Sequence, residues 1–335
     1  MSTQKVGPEF LRLPNVAAAK LGAKAIIANN EHFGSKENLL KQGRGQMAFD
    51  KNGYSTDAWI TRRRRNFEGR DWCIIELAAP TVLHGVEIDT HYFEGNFPPF
   101  ASVQACLAKP NSSVDYLTSD RLKWTEVLNK VSLQPHAQNF FRLKKEGHFN
   151  HLKFNIYPDG GITRFKAYGK ITRNWDRWPA NKTLDLAAML NGARAIMGNN
   201  MLFGHINNLI LPFKSESMSD SWQTRRSRIK DNFDWAIIKL AAAGYIKKIE
   251  VDTSHFVENY PYFCSLEGCE EFDRKDIDMD DPKIDWIPIL EKVKLQGNNR
   301  NIFIDDIIIS GKFTHVRLKM YPDGGISRLR LWGEL

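Results

Sequence analysis

The stretch Tyr157-Pro158-Asp159-Gly160-Gly161-Ile162 returns unchanged as Tyr321-Pro322-Asp323-Gly324-Gly325-Ile326. Six identical residues in order, with matching patterns on both sides, make the chain two versions of one unit. Each copy reads as a hairpin turn between two strands. Proline sets φ at the first turn position, aspartate caps the turn, and a glycine takes the φ > 0 position that closes it.

Alternation flanks the turn. Leu152, Phe154 and Ile156 fall on one face and His151, Lys153, Asn155 and Tyr157 on the other; Val316, Leu318 and Met320 oppose His315, Arg317, Lys319 and Tyr321 in the same way. Beyond the turn, Phe165 and Ala167, or Leu329 and Leu331, alternate with Arg164 and Lys166, or Arg328 and Arg330. A period of two with one apolar face predicts strands in a sheet covered on one side. Short strands bounded by Gly, Pro and Asn recur without a long amphipathic helix, so the predicted class is all-β, two sandwiches in tandem. Residues 1–12 read as a loose tail, 13–172 as the first repeat, 173–182 as a linker carrying Trp175, Trp178 and Pro179, and 183–335 as the second repeat.

The rest of the two repeats aligns. Gly22 to Asn30, Phe33-Gly34 and Asn38-Leu39 match Gly192 to Asn200, Phe203-Gly204 and Asn208-Leu209. Trp59-Ile60-Thr61-Arg62-Arg63 matches Trp222-Gln223-Thr224-Arg225-Arg226, with extra loop residues ahead of it in the first repeat. Asp71-Trp72 matches Asp234-Trp235, and Asp89-Thr90 matches Asp252-Thr253. Phe93, Asn96, Pro98 and Phe100 match Phe256, Asn259, Pro261 and Phe263.

Composition narrows the function classes. A chain of 335 residues, 42% hydrophobic and 26% charged, has room for two ordinary globular domains. It shows no secretory signal and no apolar run long enough to cross a bilayer, which predicts a cytoplasmic protein with no membrane partner. Cys73, Cys106, Cys264 and Cys269 lie in apolar, strand-like surroundings and read as buried reduced thiols rather than as disulfides or a metal site. A net charge of +8 suits a polyanion or a small anion. The Arg62–Arg65 run could grip phosphates, but its counterpart is broken by Ser227 and no nucleic-acid-binding motif accompanies it, so no nucleic acid partner is expected. Asp276, Asp278 and Asp280 begin like a calcium loop. Asp281 stands where that loop needs Gly and Ile287 where it needs Glu, so the acidic run is read as a solvated loop.

Trp-x-Thr-Arg-Arg, Asp-Trp, Asp-Thr-x-x-Phe-x-x-Asn and Tyr-Pro-Asp-Gly-Gly, each present twice, resemble the allantoicase family over nearly the whole chain. The resemblance implies two tandem jelly-roll domains of the galactose-binding type, and hydrolysis of allantoate to ureidoglycolate and urea in purine degradation, with the site in a cleft between the repeats. Allantoate carries a carboxylate and two ureido groups on one carbon. A planar guanidinium grips such a carboxylate with two hydrogen bonds, which selects Arg62, Arg63, Arg225 and Arg226 as substrate-binding candidates. Asn96, Asn259, Asp159 and Asp323 join them as substrate-binding candidates, Asp159 and Asp323 also reading as turn residues. C–N cleavage needs protonation of the departing urea nitrogen and deprotonation of water, for which His255 is the acid–base candidate, with Asp252 and Asp89 as acceptors or orienting groups. Each has a plainer reading as well: the aspartates tie down loop backbone, and an isolated His, or Trp59 and Trp222, serve packing. His151 and His315 are equivalent and read as structural.

No cofactor is required on these residues. Manganese stays open through the family resemblance, with no metal ligand cluster to name, and a homo-oligomer stays open too. The family motif reads Gly-Trp-Glu-Thr-Arg-Arg; here Ala58 and Ser221 replace the Gly, Ile60 and Gln223 the Glu, while Asn29-Asn30 and Asn199-Asn200 replace a Ser-Asp pair. An active allantoicase therefore stands beside the alternative of a catalytically reduced paralogue that binds a small ureide or sugar-like ligand.

Overall fold

The computed structural model describes residues 8–50, 53–65, 68–109, 111–143, 147–179 and 182–335. The chain divides between Thr172 and Arg173 into two compact units. Each is organised on one 19-residue strand, Asp71–Asp89 in the first and Asp234–Asp252 in the second.

The long strand serves two sheets. The first half of Asp71–Asp89 pairs with His148–Tyr157 and its second half with Arg164–Ile171 and Gln138–Arg142, with a register break between Glu76 and Thr81. Such a break bends a strand and lets it pass from one sheet of a sandwich to the other. The larger sheet runs on from His148–Tyr157 to Phe100–Cys106 and Thr125–Ser132, with Lys24–Ala28 on its other side. The second unit repeats this scheme. Asp234–Asp252 pairs first with Lys312–Tyr321 and then with Arg328–Glu334 and Arg300–Phe303, breaking between Lys239 and Gly244. Every pairing is antiparallel, so each unit is an all-β sandwich. Among the described residues no helix exceeds five residues, and none is long and apolar enough to cross a membrane.

Leu152, Phe154, Ile156, Val86, Ile88, Phe165 and Trp59 fill the space between the sheets of the first unit. The expectation of a sheet covered on one side needs correction. Ile74, Cys106, Ala108 and Leu117 form a second cluster with Trp72 and Trp124 against it, and Ile237, Cys269, Met279 and Ile284 do the same in the second unit. The variable segments after Cys106 and Cys269 fold back over the outer face, so His151, Asn155 and His315 are buried as well. All four thiols are free and buried; burial pushes those of Cys106, Cys264 and Cys269 up to about 12. The acidic run after Cys269 is tied down at two points, by Arg194 on Asp276 (2.5 Å) and Arg274 on Asp281 (2.9 Å).

The repeated hexapeptide is not a hairpin turn. His148–Tyr157 and Arg164–Ile171 pair with different halves of the long strand, and between them Gly161–Ile162 pairs with Trp59–Ile60. The motif is a corner between sheets, with cis bonds at Tyr157-Pro158 and Tyr321-Pro322. Space dictates its glycines. Gly160 has φ of 145°, and a Cβ there would come within 2.8 Å of the Asn96 carbonyl; on Gly161 it would meet the Phe93 ring at 2.1 Å. Gly324 and Gly325 are held in the same way by Asn259 and Phe256.

The tail is also corrected where it is described. Glu9–Arg12 forms a 3₁₀ turn whose Phe10 is buried, its ring occupying the space that a side chain on Gly85 would need. Residues 1–7 lie outside the described residues. In the linker, Trp175 and Trp178 pack edge to face, with the Arg173 guanidinium over both rings. The extra residues ahead of Trp59 include two paired strands, Met47–Asp50 and Gly53–Thr56.

Candidate functional site

Three segments meet at one end of each sandwich. In the first repeat, Thr61 N–H donates to the Gly160 carbonyl (3.1 Å), Gly161 N–H to Asn96 (3.0 Å), and Thr163 N–H to Asp89 (2.8 Å). These bonds tie the arginine loop, the loop after Asp89 and the Asp-Gly-Gly corner together. In the second repeat the equivalent bonds run from Thr224 to Gly324 (2.9 Å), Gly325 to Asn259 (3.0 Å) and Ser327 to Asp252 (2.7 Å). Asn96 and Asn259 thus hold the corner through their backbone carbonyls, while their side chains are exposed.

Asp159 and Asp323 anchor the arginine loops. One carboxylate oxygen of Asp159 accepts the Arg64 N–H, and one of Asp323 accepts the Ser227 N–H, both at 2.8 Å. The Arg62 N–H is held by Asn30 Oδ1 (3.2 Å) and the Arg225 N–H by Asn200 Oδ1 (3.4 Å). In both repeats a side-chain amide oxygen thus fixes the start of the arginine loop. With its main chain fixed, each loop exposes two guanidinium groups, Arg62 and Arg63 or Arg225 and Arg226, that have no side-chain partner among the described residues. Unpaired, forked cations on a braced backbone suit a small carboxylate.

Asp89 and Asp252 are buried, and each accepts the backbone N–H two residues on, at His91 (2.9 Å) and Ser254 (2.8 Å). The Ser254 hydroxyl adds a bond to Asp252 (2.6 Å). Asp252 also lines a notch of about 110 Å³ with Lys214, Glu250, Arg300, Arg328 and Arg330, where Glu250 and Arg300 make two bonds of 2.7 Å. His255 has φ of 72°, and Tyr92 in the same place has 71°. His255 Nε2 lies 2.9 Å from the Ser215 carbonyl. A carbonyl only accepts, so Nε2 carries the proton and Nδ1 keeps its lone pair. Trp59 and Trp222 are fully buried, each donating its indole N–H at 2.8 Å to Asn30 or Asn200.

Sequence reasoning missed two features. The first is a buried carboxylate behind each arginine loop. Asn29 donates to Asp71 Oδ1 (3.0 Å) while accepting from Trp72 N–H, and Asn199 does the same for Asp234 (3.0 Å) and Trp235. Arg64 covers Asp71 with a 2.6 Å ion pair, but Ser227 stands in its place in the second repeat. Burial, with the Asp323 charge adding, raises Asp234 above the ordinary carboxylate range; Asn199, Thr224 and Asn200 oppose the shift. The break of the arginine run at Ser227 was the signal that could have revealed this. The second feature is a lysine over two rings: Lys130 on Phe100 (4.8 Å) and Tyr157 (4.5 Å), Lys292 on Phe263 (5.1 Å) and Tyr321 (4.4 Å). In the first repeat these residues and Arg70 line an open depression of about 750 Å³. In the second, the Phe233 ring also packs against Tyr321, tilted by 42° at 5.8 Å.

Two antiparallel sandwiches, each presenting a braced guanidinium loop beside an Asp-Gly-Gly corner, define a duplicated jelly-roll protein equipped for a small anion. The allantoicase repeat matches residues 14–172 and again 184–335, and the chain belongs to the allantoicase family. It is 39% identical to a protein named probable allantoicase 1 from Burkholderia mallei, over 98% of this chain and 96% of that one. It is also 39% identical to a probable allantoicase from Photobacterium profundum, over 97% of each. The crystal structure of allantoicase from Saccharomyces cerevisiae superposes with a TM-score of 0.79 at 33% identity, covering 96% of this chain and 92% of that one.

Proposed function

We infer that the chain hydrolyses allantoate to ureidoglycolate and urea. The observation that carries this is the family match over both repeats, in relatives of almost the same length, onto loops that present unpaired guanidinium pairs. Water adds its oxygen to the central carbon of allantoate, the bond from that carbon to one ureido nitrogen breaks, and urea leaves with a proton. In this reading Arg62 and Arg63, or Arg225 and Arg226, fork the carboxylate. Asp159 and Asp323 each hold the loop through one oxygen and offer the other to ureido N–H groups, with the exposed Asn96 and Asn259 side chains at the rim. His255 Nδ1 takes the proton from water, and Asp89 and Asp252 fix the loops that carry these groups.

Among the described residues no three His, Cys, Asp or Glu side chains stand together as a metal-binding set. The donors do not fit a divalent cation, so no step is routed through manganese. We place the reaction in the cytoplasm, consistent with four buried, reduced thiols. The test is urea release from allantoate by the purified full chain, with and without manganese. Steady release at micromolar enzyme supports the reading, and none under either condition overturns it.

A further inference from the structure

The two buried carboxylates behind the arginine loops differ in one respect. In the first repeat Arg64 places Nε at 3.1 Å and a terminal nitrogen at 2.6 Å from Asp71 Oδ1, and the same nitrogen donates to the Arg70 carbonyl (3.1 Å). In the second repeat the surrounding frame is kept bond for bond. Asn199 donates to Asp234 at 3.0 Å, Trp235 N–H donates to Asn199 at 2.8 Å, and the loop N–H donates to Asp323 at 2.8 Å. Only the guanidinium is missing, since residue 227 is serine. Oδ2 is buried with no hydrogen-bond partner among the described residues in both carboxylates, so what separates them is Oδ1, which takes two guanidinium nitrogens in Asp71 and only the Asn199 amide in Asp234.

A guanidinium and a ureido group are both planar, with two nitrogens bearing N–H bonds directed to one side. A carboxylate that accepts one in a forked arrangement can accept the other. Resting on the allantoicase reading, we propose that Asp234 and Asn199 form the seat for a ureido group of the substrate, and that in the first repeat Arg64 permanently occupies the equivalent seat. The second repeat is then the working one. The loop 225–233, which leads directly into Asp234, is exposed along most of its length and carries Arg225 and Arg226. In this proposal the carboxylate of the same substrate is the group that those cations grip. The open depression of the first repeat does not serve the same purpose: Asp71 is not among the residues that line it, and its carboxylate is already paired with Arg64. The raised carboxyl of Asp234 fits a group waiting for a hydrogen-bond donor.

The test exchanges the two residues in the full-length protein. Ser227→Arg supplies the missing guanidinium and should lower kcat/KM for urea release at least 100-fold with the thermal melt retained, while Ser227→Thr keeps activity within about threefold. Arg64→Ser should leave kcat/KM within about threefold. Binding of N-carbamoylglycine, a monoureido acid, is followed in parallel by calorimetry: Ser227→Arg should abolish the site present in the unaltered chain. Urea release and probe binding both unchanged in Ser227→Arg would overturn the proposal. So would a 100-fold loss confined to Arg64→Ser. A chain that binds the probe, loses it in Ser227→Arg, yet releases no urea would retain the seat and overturn the hydrolytic reading instead.

Discussion

The two repeats agree in their bonds to backbone and disagree in their charges. Asn29 and Asn199, Thr61 and Thr224, Thr90 and Thr253, Asn139 and Asn301, and Asp159 and Asp323 make the same backbone contacts to within a few tenths of an ångström. Around this common frame, Asp71 has Arg64 where Asp234 has none, and Glu87 meets Lys166, Gln138 and Tyr168 where Glu250 meets Arg300. The frame is constrained because an unmet buried N–H or C=O costs free energy in any copy. Ion pairs are freer to change, since exchanging partners near a surface alters stability little. Divergence between copies therefore marks where function can separate.

The comparison can be broken at several points. His255 and Tyr92 share a left-handed backbone, but one carries an imidazole and the other a phenol. His255→Ala should lower kcat by about 10³-fold with KM little changed, while Tyr92→Ala leaves kcat near the starting value. Equal kcat with and without the imidazole would make His255 a structural residue. His151 and His315 make the opposite case, two buried copies with one task. Burial holds His315 down to about 4, below its ordinary 6.5. The neutral ring therefore stabilises the fold fully above pH 6.5, and that contribution, about 3 kcal/mol, is lost as pH falls through 4. Denaturant melts from pH 7 to 4 should show it, and His315→Asn should flatten that slope.

Among the arginines, Arg226→Ala should cost about 2–3 kcal/mol in kcat/KM, as loss of a charge-assisted contact does. Arg63→Ala should cost far less if the second repeat does the work; equal losses would return both repeats to the reaction. Arg64→Ser leaves Asp71 buried beside Asn29 alone and should destabilise the first repeat by about 2 kcal/mol in urea melts. The smallest effect on stability is that of Asp234→Asn. Because the Asp234 carboxyl is raised in the folded chain, its ionisation opposes folding above that raised value. The amide should therefore raise the melting temperature at pH 7, and the gain should fade as pH drops below the ordinary carboxylate range.

Much of the fold was legible because duplication doubles each signal. Alternation around Leu152 and Val316 located the inner faces, and the paired motifs located the loops that meet at the site. Burial of the opposite face was not legible, because segments 111–124 and 270–286 reach it from loops whose path no local period reports. The hairpin expectation failed for a related reason: a Pro-Asp-Gly-Gly run specifies a change of direction, not which strands flank it. Asp71 and Asp234 looked like strand residues beside a tryptophan, and only three-dimensional neighbours distinguished one from the other.

By itself the sequence determined two all-β repeats and the family, since periodicity and repeated motifs are properties of order along the chain. Tertiary structure decided the rest. It chose which glycines have no room for a side chain, which histidines are sealed, and that one buried aspartate is matched by a guanidinium while its twin is not. Those outcomes depend on groups distant in sequence sharing a few ångströms of low-dielectric space, where one missing cation alters what a carboxylate can accept.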